Sequence, residues 1–168
     1  TSAVWAISVD AAFTRKETSD FVVIQVWLKS GSGFYLVDQA RGQWDFDETC
    51  IELRKMIVKY PQARSRVIEA KANGEAIITH LGKTVSGLLP VTPKGNKESR
   101  ANAVVPYFAA GNVFLPERDW TAAFVHELSV FPKGRYDDQV DACTQILCWF
   151  DERGAAITAP DEDMLAAL

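Results

Sequence analysis

The stretch Phe21–Ala40, FVVIQVWLKSGSGFYLVDQA, decides the architecture. Phe21–Lys29 is rich in β-branched and aromatic residues and reads as a strand, Ser30–Gly33 (SGSG) is a turn signal, and Phe34–Ala40 reads as a second strand. A short glycine turn between two such runs makes an antiparallel pair. Upstream, Val4–Asp10 (VWAISVD) is another apolar strand, and it ends in an acid. Downstream the period changes from two to 3.6. In Glu48–Tyr60, Ile51, Met56 and Ile57 fall near helical spacing, with Asp47 predicted as the N-cap and Pro61 as the stop. From there strand and helix alternate: Arg66–Ala70 (strand), Asn73–Gly82 (helix), Ser86–Pro93 (strand), Lys97–Gly111 (helix), Asn112–Pro116 (strand), Asp119–Phe131 (helix) and a last helix in RYDDQVDACTQILCWF, Arg135–Phe150. Three leading strands followed by this alternation predict an α/β domain, a mixed sheet with antiparallel leading strands and parallel later ones, flanked by helices on both faces.

With 168 residues, 48% apolar and 11% aromatic, the chain is long enough for one buried core. Residues 1–150 are assigned to that domain, and 151–168, with DERG and PDEDM, to a C-terminal tail that leaves it. No apolar run approaches the roughly 20 residues of a membrane helix, and TSAVWAISVD is not a signal peptide, so a soluble intracellular protein without membrane contact is expected. A strand-like start without an initiator Met predicts a piece of a longer chain. Cys50, Cys143 and Cys148 have neither disulfide nor zinc spacing and read as core thiols. A formal charge of -4 gives no global attraction to polyanions.

The acids stand out. Asp10 and Glu69 each end an apolar strand, and Asp137, Asp138 and Asp141 crowd the mouth of the last helix. A helix start favours acids on its own account, so the DDxxD segment alone is half explained by capping. Acids on two apolar strands are harder to explain without partners. In one sheet the ends of two neighbouring strands and the mouth of a packed helix can meet. Converging carboxylates need a cation, and hard oxygen ligands select Mg²⁺ or Mn²⁺ over Zn²⁺. Two such ions about 4 Å apart can activate a water and stabilise the leaving oxygen of a phosphodiester.

SVDAAF with TSD at Thr18–Asp20, IEAKANG at Ile68–Gly74 and YDDQVDA at Tyr136–Ala142, in that order, resemble the C-terminal nuclease domain of the large terminase subunit of tailed bacteriophages. The resemblance runs to about Phe150. It implies a ribonuclease H-like fold, related to Holliday-junction resolvases, that cuts concatemeric double-stranded DNA during packaging with two divalent metals. It further implies Asp10, Glu69 and Asp138 as catalytic metal ligands, with Asp10 bridging both ions. Asp137, Asp141 and Asp20 follow as secondary ligands. Lys71 and Asn73 are candidates to contact phosphate or orient Glu69. An ATPase domain in the same longer chain, a small subunit, a portal protein and the cytoplasm of an infected bacterium are the implied setting.

Lys94, Lys97 and Arg100 lie on a loop running into a helix, and Lys133 and Arg135 precede the acid cluster; all five are expected to meet DNA phosphates. LGKT at Leu81–Thr84 lacks the earlier glycine of a phosphate loop, His80 and His126 are isolated, and no covalent-nucleophile motif is present. The competing readings are a resolvase-like nuclease and a non-catalytic ribonuclease H-like module that docks motor or capsid proteins.

Overall fold

Ser30 pairs with Gly33 across a two-residue loop whose Gly31 has φ +55°, a conformation that favours glycine, and the predicted antiparallel pair follows. The computed structural model describes residues 3–11 and 21–158. In chain order the elements are β1 (Val4–Asp10), β2 (Val22–Ser30), β3 (Gly33–Gly42), α1 (Phe46–Lys59), β4 (Ser65–Glu69), α2 (Ala72–Leu81), β5 (Leu88–Val91), α3 (Lys97–Ala109), β6 (Val113–Phe114), α4 (Thr121–Val130) and α5 (Asp138–Thr158).

One sheet runs β5-β4-β1-β2-β3-β6. The pairs β1–β2 and β2–β3 are antiparallel, while β1–β4, β4–β5 and β3–β6 are parallel. Each face carries its own core. Ile7, Val9, Ile24, Val26 and Ile68 pack with Leu53 and Met56 of α1 and with Ile77 and Leu81 of α2. Ala6, Trp27, Phe34 and Val67 pack with Val104 of α3, Phe124 of α4 and Cys143, Ile146 and Leu147 of α5. This is the expected mixed sheet between two helical layers. Cys50 and Cys143 are buried and Cys148 is partly buried, all as free thiols.

Two boundaries differ from expectation. The N-cap of α1 is Asp45, not Asp47: Asp45 accepts from Glu48 N, and the Glu48 side chain accepts from Asp45 N, a reciprocal cap that places Asp47 inside the first turn. Helix α5 runs on through Asp151 to Thr158, so the first part of the segment read as a tail is helical. A lone glycine such as Gly154 costs a helix only about 1 kcal/mol and does not end it. Asp20 and residues 159–168 lie outside the described residues.

Candidate active site

Strand alternation sets the first two acids. On β1, Ile7 and Val9 face the α1/α2 core while Ala6 faces α5, and Ser8 Oγ donates to Ala142 O of α5 at 2.7 Å. Asp10 keeps the phase of Ala6 and Ser8. On β4, Val67 faces α5 and Ile68 the opposite core, so Glu69 shares Asp10's side. The parallel register Val9↔Ile68 leaves Asp10 and Glu69 side by side at the carboxyl ends of adjacent strands.

Helix α5 brings the rest. Asp138, Asp141 and Gln145 lie at i, i+3 and i+7, on one stripe. Gln145 Nε2 donates to Ser8 Oγ at 2.9 Å and to Val9 O and Val67 O at 3.2 Å each, pinning the helix across β1 and β4 one turn beyond Asp141. The mouth of α5 is fixed by Glu127 of α4. Its Oε1 accepts from Gln139 N at 2.7 Å and Val140 N at 3.2 Å, and its Oε2 accepts from Gln139 Nε2 at 2.6 Å. First-turn N–H groups lack intrahelical partners, so Glu127 caps α5 from a neighbouring helix. Arg41 Nη2 lies 3.5 Å from Glu127 Oε2, and the Arg41 guanidinium stacks over the Phe21 ring at 3.8 Å. A buried chain continues inward: Gln39 Nε2 donates to Gln139 Oε1, Gln25 Nε2 to Gln39 Oε1, and Trp27 Nε1 to Gln25 Oε1.

Asp10, Glu69 and Asp141 line one cavity of about 200 Å³, with Thr92, Lys94 and Arg100 on its wall. Although Asp10 as a residue is partly accessible, its carboxyl is enclosed by protein. Burial first, then Asp141, Asp138 and Glu69, push it well above the usual carboxylate range, against a pull from Lys97. Asp141 is raised too, chiefly by burial, with Lys97 opposing. Lys97 Nζ sits 2.5 Å from Asp141 Oδ2 and 2.7 Å from Asp137 Oδ2. Burial works against its charge, yet these two acids outweigh burial and hold it above the ordinary lysine range. Lys71 Nζ lies 2.5 Å from Glu69 Oε1, but without hydrogen-bond alignment, so that buried oxygen has no hydrogen-bond donor among the described residues. Among the described residues, no group of three His, Cys, Asp or Glu side chains is arranged to hold a metal ion. The crowded acids turn instead to the two lysines.

Of the acids read from the sequence, Asp141, rather than Asp138, lines the cavity with Asp10 and Glu69. Asp138 is buried at 4% exposure and accepts from Phe21 N at 3.3 Å, while still acting on Asp10 through its charge. Asp137 is at the rim, paired with Lys97. Lys94 is exposed and pairs with Glu152 of α5, and Arg100 lies 3.5 Å from Asp141. Lys133 and Arg135 occupy the loop before α5, with Arg135 over the Tyr136 ring at 5.1 Å. LGKT falls at the C-terminus of α2, with Gly82 as its C-cap, and His80 packs edge-on against Phe46. Sequence reasoning missed Gln145, Glu127, Gln139 and Arg41. The one local signal was an acid in the apolar run AAFVHELSV, which predicts a buried carboxylate without naming its partner.

A family model for the terminase RNase H-like domain matches residues 7–150. The chain belongs to that family. In fold this terminase domain is similar to the large terminase nuclease of thermophilic phage G20c, solved with bound zinc, at TM-score 0.68 and 18% identity over 85% of this chain and 79% of that one. The same nuclease with bound magnesium gives 0.67 and 17%, over 85% and 79%. The large terminase of another thermophilic bacteriophage gives 0.65 and 14%, over 85% of the terminase domain but only 38% of that longer chain. At such identities the likeness establishes the fold alone, a ribonuclease H-like mixed sheet. No curated protein matches the sequence significantly. No helix among the described residues is long and apolar enough to cross a membrane.

Proposed function

We propose that the terminase domain is a metal-dependent endonuclease that cuts concatemeric double-stranded DNA during viral packaging, by two-metal-ion hydrolysis with Mg²⁺ or Mn²⁺ and little sequence preference. The observation that carries this reading is the convergence of Asp10 and Glu69, on adjacent strand ends, with Asp141 of α5 around one cavity, Asp138 acting on Asp10 through its charge. The donor set fits a hard divalent cation. It is all oxygen, its central carboxyl is raised by burial and then by its acidic neighbours, Glu69 Oε1 is buried without an aligned hydrogen-bond donor among the described residues, and lysine ammoniums already serve as counter-charge to Glu69 and Asp141.

Asp10, Glu69, Asp141 and Asp138 would hold the two ions, and Asp137 and Asp20 would be secondary. When bound, such ions would supply an activated water and neutralise the leaving oxygen. The chain's own residues do the remainder. Gln145 and Glu127 hold α5 at its distance from β1 and β4, so that the acids need not reorganise as charge develops. Lys94 and Arg100 on the cavity wall, Lys71 and Lys97 paired with its acids, and Lys133 and Arg135 in the loop before α5 would position the phosphate backbone without reading bases. Within a packaging motor the domain would work beside an ATPase domain of the same longer chain, a small subunit and a portal, in the cytoplasm of the infected cell.

The test is plasmid cleavage with Mn²⁺, with Mg²⁺ and with EDTA, for the parent and for Asp10→Asn, Glu69→Gln, Asp138→Asn and Asp141→Asn. Metal-dependent cleavage lost in the variants supports the reading. Cleavage that persists in chelator sinks the metal mechanism, and no cleavage with either ion favours a docking module.

A further inference from the structure

We infer that Lys97 is a resident counter-ion that occupies Asp137 and Asp141 in the metal-free domain and competes with the divalent ion for them. The inference rests on the nuclease reading above. Lys97 is the first residue of α3, after the N-cap Asn96, whose side chain accepts from Ser99 N. A helix start repels a cation, so the macrodipole does not hold the ammonium there. What holds it is across the cleft: Asp141 Oδ2 at 2.5 Å and Asp137 Oδ2 at 2.7 Å, both at the mouth of another helix. Arg100, one turn further on and 3.5 Å from Asp141 Oδ1, adds a second cation from the same face of α3.

Asp141 lines the cavity in which the proposed metal would sit and Asp137 stands at its rim, and an oxygen engaged by an ammonium is a poorer metal ligand. The lysine side chain is 46% exposed, so its flexible stem has solvent to swing into when the ion arrives. The released ammonium would then stand at the cavity rim, where a DNA phosphate would replace its lost carboxylates. Metal loading and phosphate capture become successive uses of one side chain.

The test is Mn²⁺ titration calorimetry without DNA on the wild-type domain, Lys97→Met, Lys97→Arg and Asp10→Asn, with melting curves in EDTA and in saturating Mn²⁺. Lys97→Met should bind Mn²⁺ about tenfold more tightly, since a unit charge a few Å from the site is removed, and Lys97→Arg should stay near wild type. In EDTA Lys97→Met should melt below wild type, its acids being uncompensated; in saturating Mn²⁺ the deficit should vanish. If wild type binds Mn²⁺, Asp10→Asn does not, and Lys97→Met binds no tighter than wild type, the counter-ion is disproved and the nuclease reading stands. If wild type binds no Mn²⁺, the nuclease reading fails and takes this inference with it. Should Lys97→Met not fold, Lys97→Gln is titrated in the same way with the same criteria.

Discussion

Asp10 is held where its own ionisation is opposed, and on the nuclease reading proposed above this makes its stability effect opposite in sign to its catalytic one. Its folded pKa is raised, so the metal-free protein loses stability as pH climbs from the ordinary value of 3.8 through the raised value, and the loss is complete once that value is passed. Asp10→Asn cannot ionise and escapes it. The variant should therefore melt above wild type in EDTA at pH 7 while its cleavage falls by more than the about 10–100-fold typical of losing an outer-sphere partner. Parental cleavage by the variant would remove Asp10 from the site. Asp38 shows the reverse sign. Burial raises its carboxyl, but donation from Lys59, Tyr60 and Gln39 N outweighs burial and leaves it lowered. That stability is present above pH 3.8 and is lost as pH falls through the lowered value. Asp38→Asn should cost about 1–2 kcal/mol at pH 7 by urea denaturation and flatten the acid limb of the stability curve.

Among the elements, α5 matters most to the site, and its placement depends on two side chains with no motif. Glu127 commits its carboxylate to the first-turn N–H groups of α5 and to Gln139. Glu127→Gln puts an amide N–H₂ where an acceptor is needed. It should destabilise the fold by about 1–3 kcal/mol in denaturant melts and weaken Mn²⁺ binding through the displaced Asp138 and Asp141. Unchanged Mn²⁺ affinity would confine Glu127 to a structural role. The strands were legible because β1 and β2 alternate or saturate their faces with apolar residues, and the acids because Asp10 and Glu69 interrupt such runs. The cap at Asp45 was not, since Asp45 and Asp47 offer the same chemistry and only the reciprocal bond with Glu48 chooses between them. Nor was the preference for Asp141 over Asp138 at the cavity: both share a stripe of α5, but Asp141 lies one turn from Gln145, which docks the helix on β1 and β4, and Asp138 lies a turn further away. Where a helix docks along a sheet is a tertiary quantity.

For the whole molecule, a net charge of -4 sets the expectation that DNA is held weakly. Digestion of several unrelated plasmids, with the ends mapped by sequencing, should show dispersed cuts; one dominant site shared among them would contradict this. Replacing Lys94 and Arg100 together by Ala should weaken duplex binding alike for all sequences and flatten the salt slope by about one to two, as expected for lost phosphate contacts. The order of elements along the chain has a temporal side as well. β1 and β4 pair directly, so Asp10 and Glu69 can come together while a ribosome is still adding residues, because chains emerge N-terminus first. Asp138 and Asp141 ride on α5, the last of the described elements to emerge. Until that helix docks across the sheet, a growing chain holds half an acid cluster, which on the nuclease reading proposed above would not suffice to cut. On that reading translation would then act as a timer, the acid cluster being complete only when the last described helix is made.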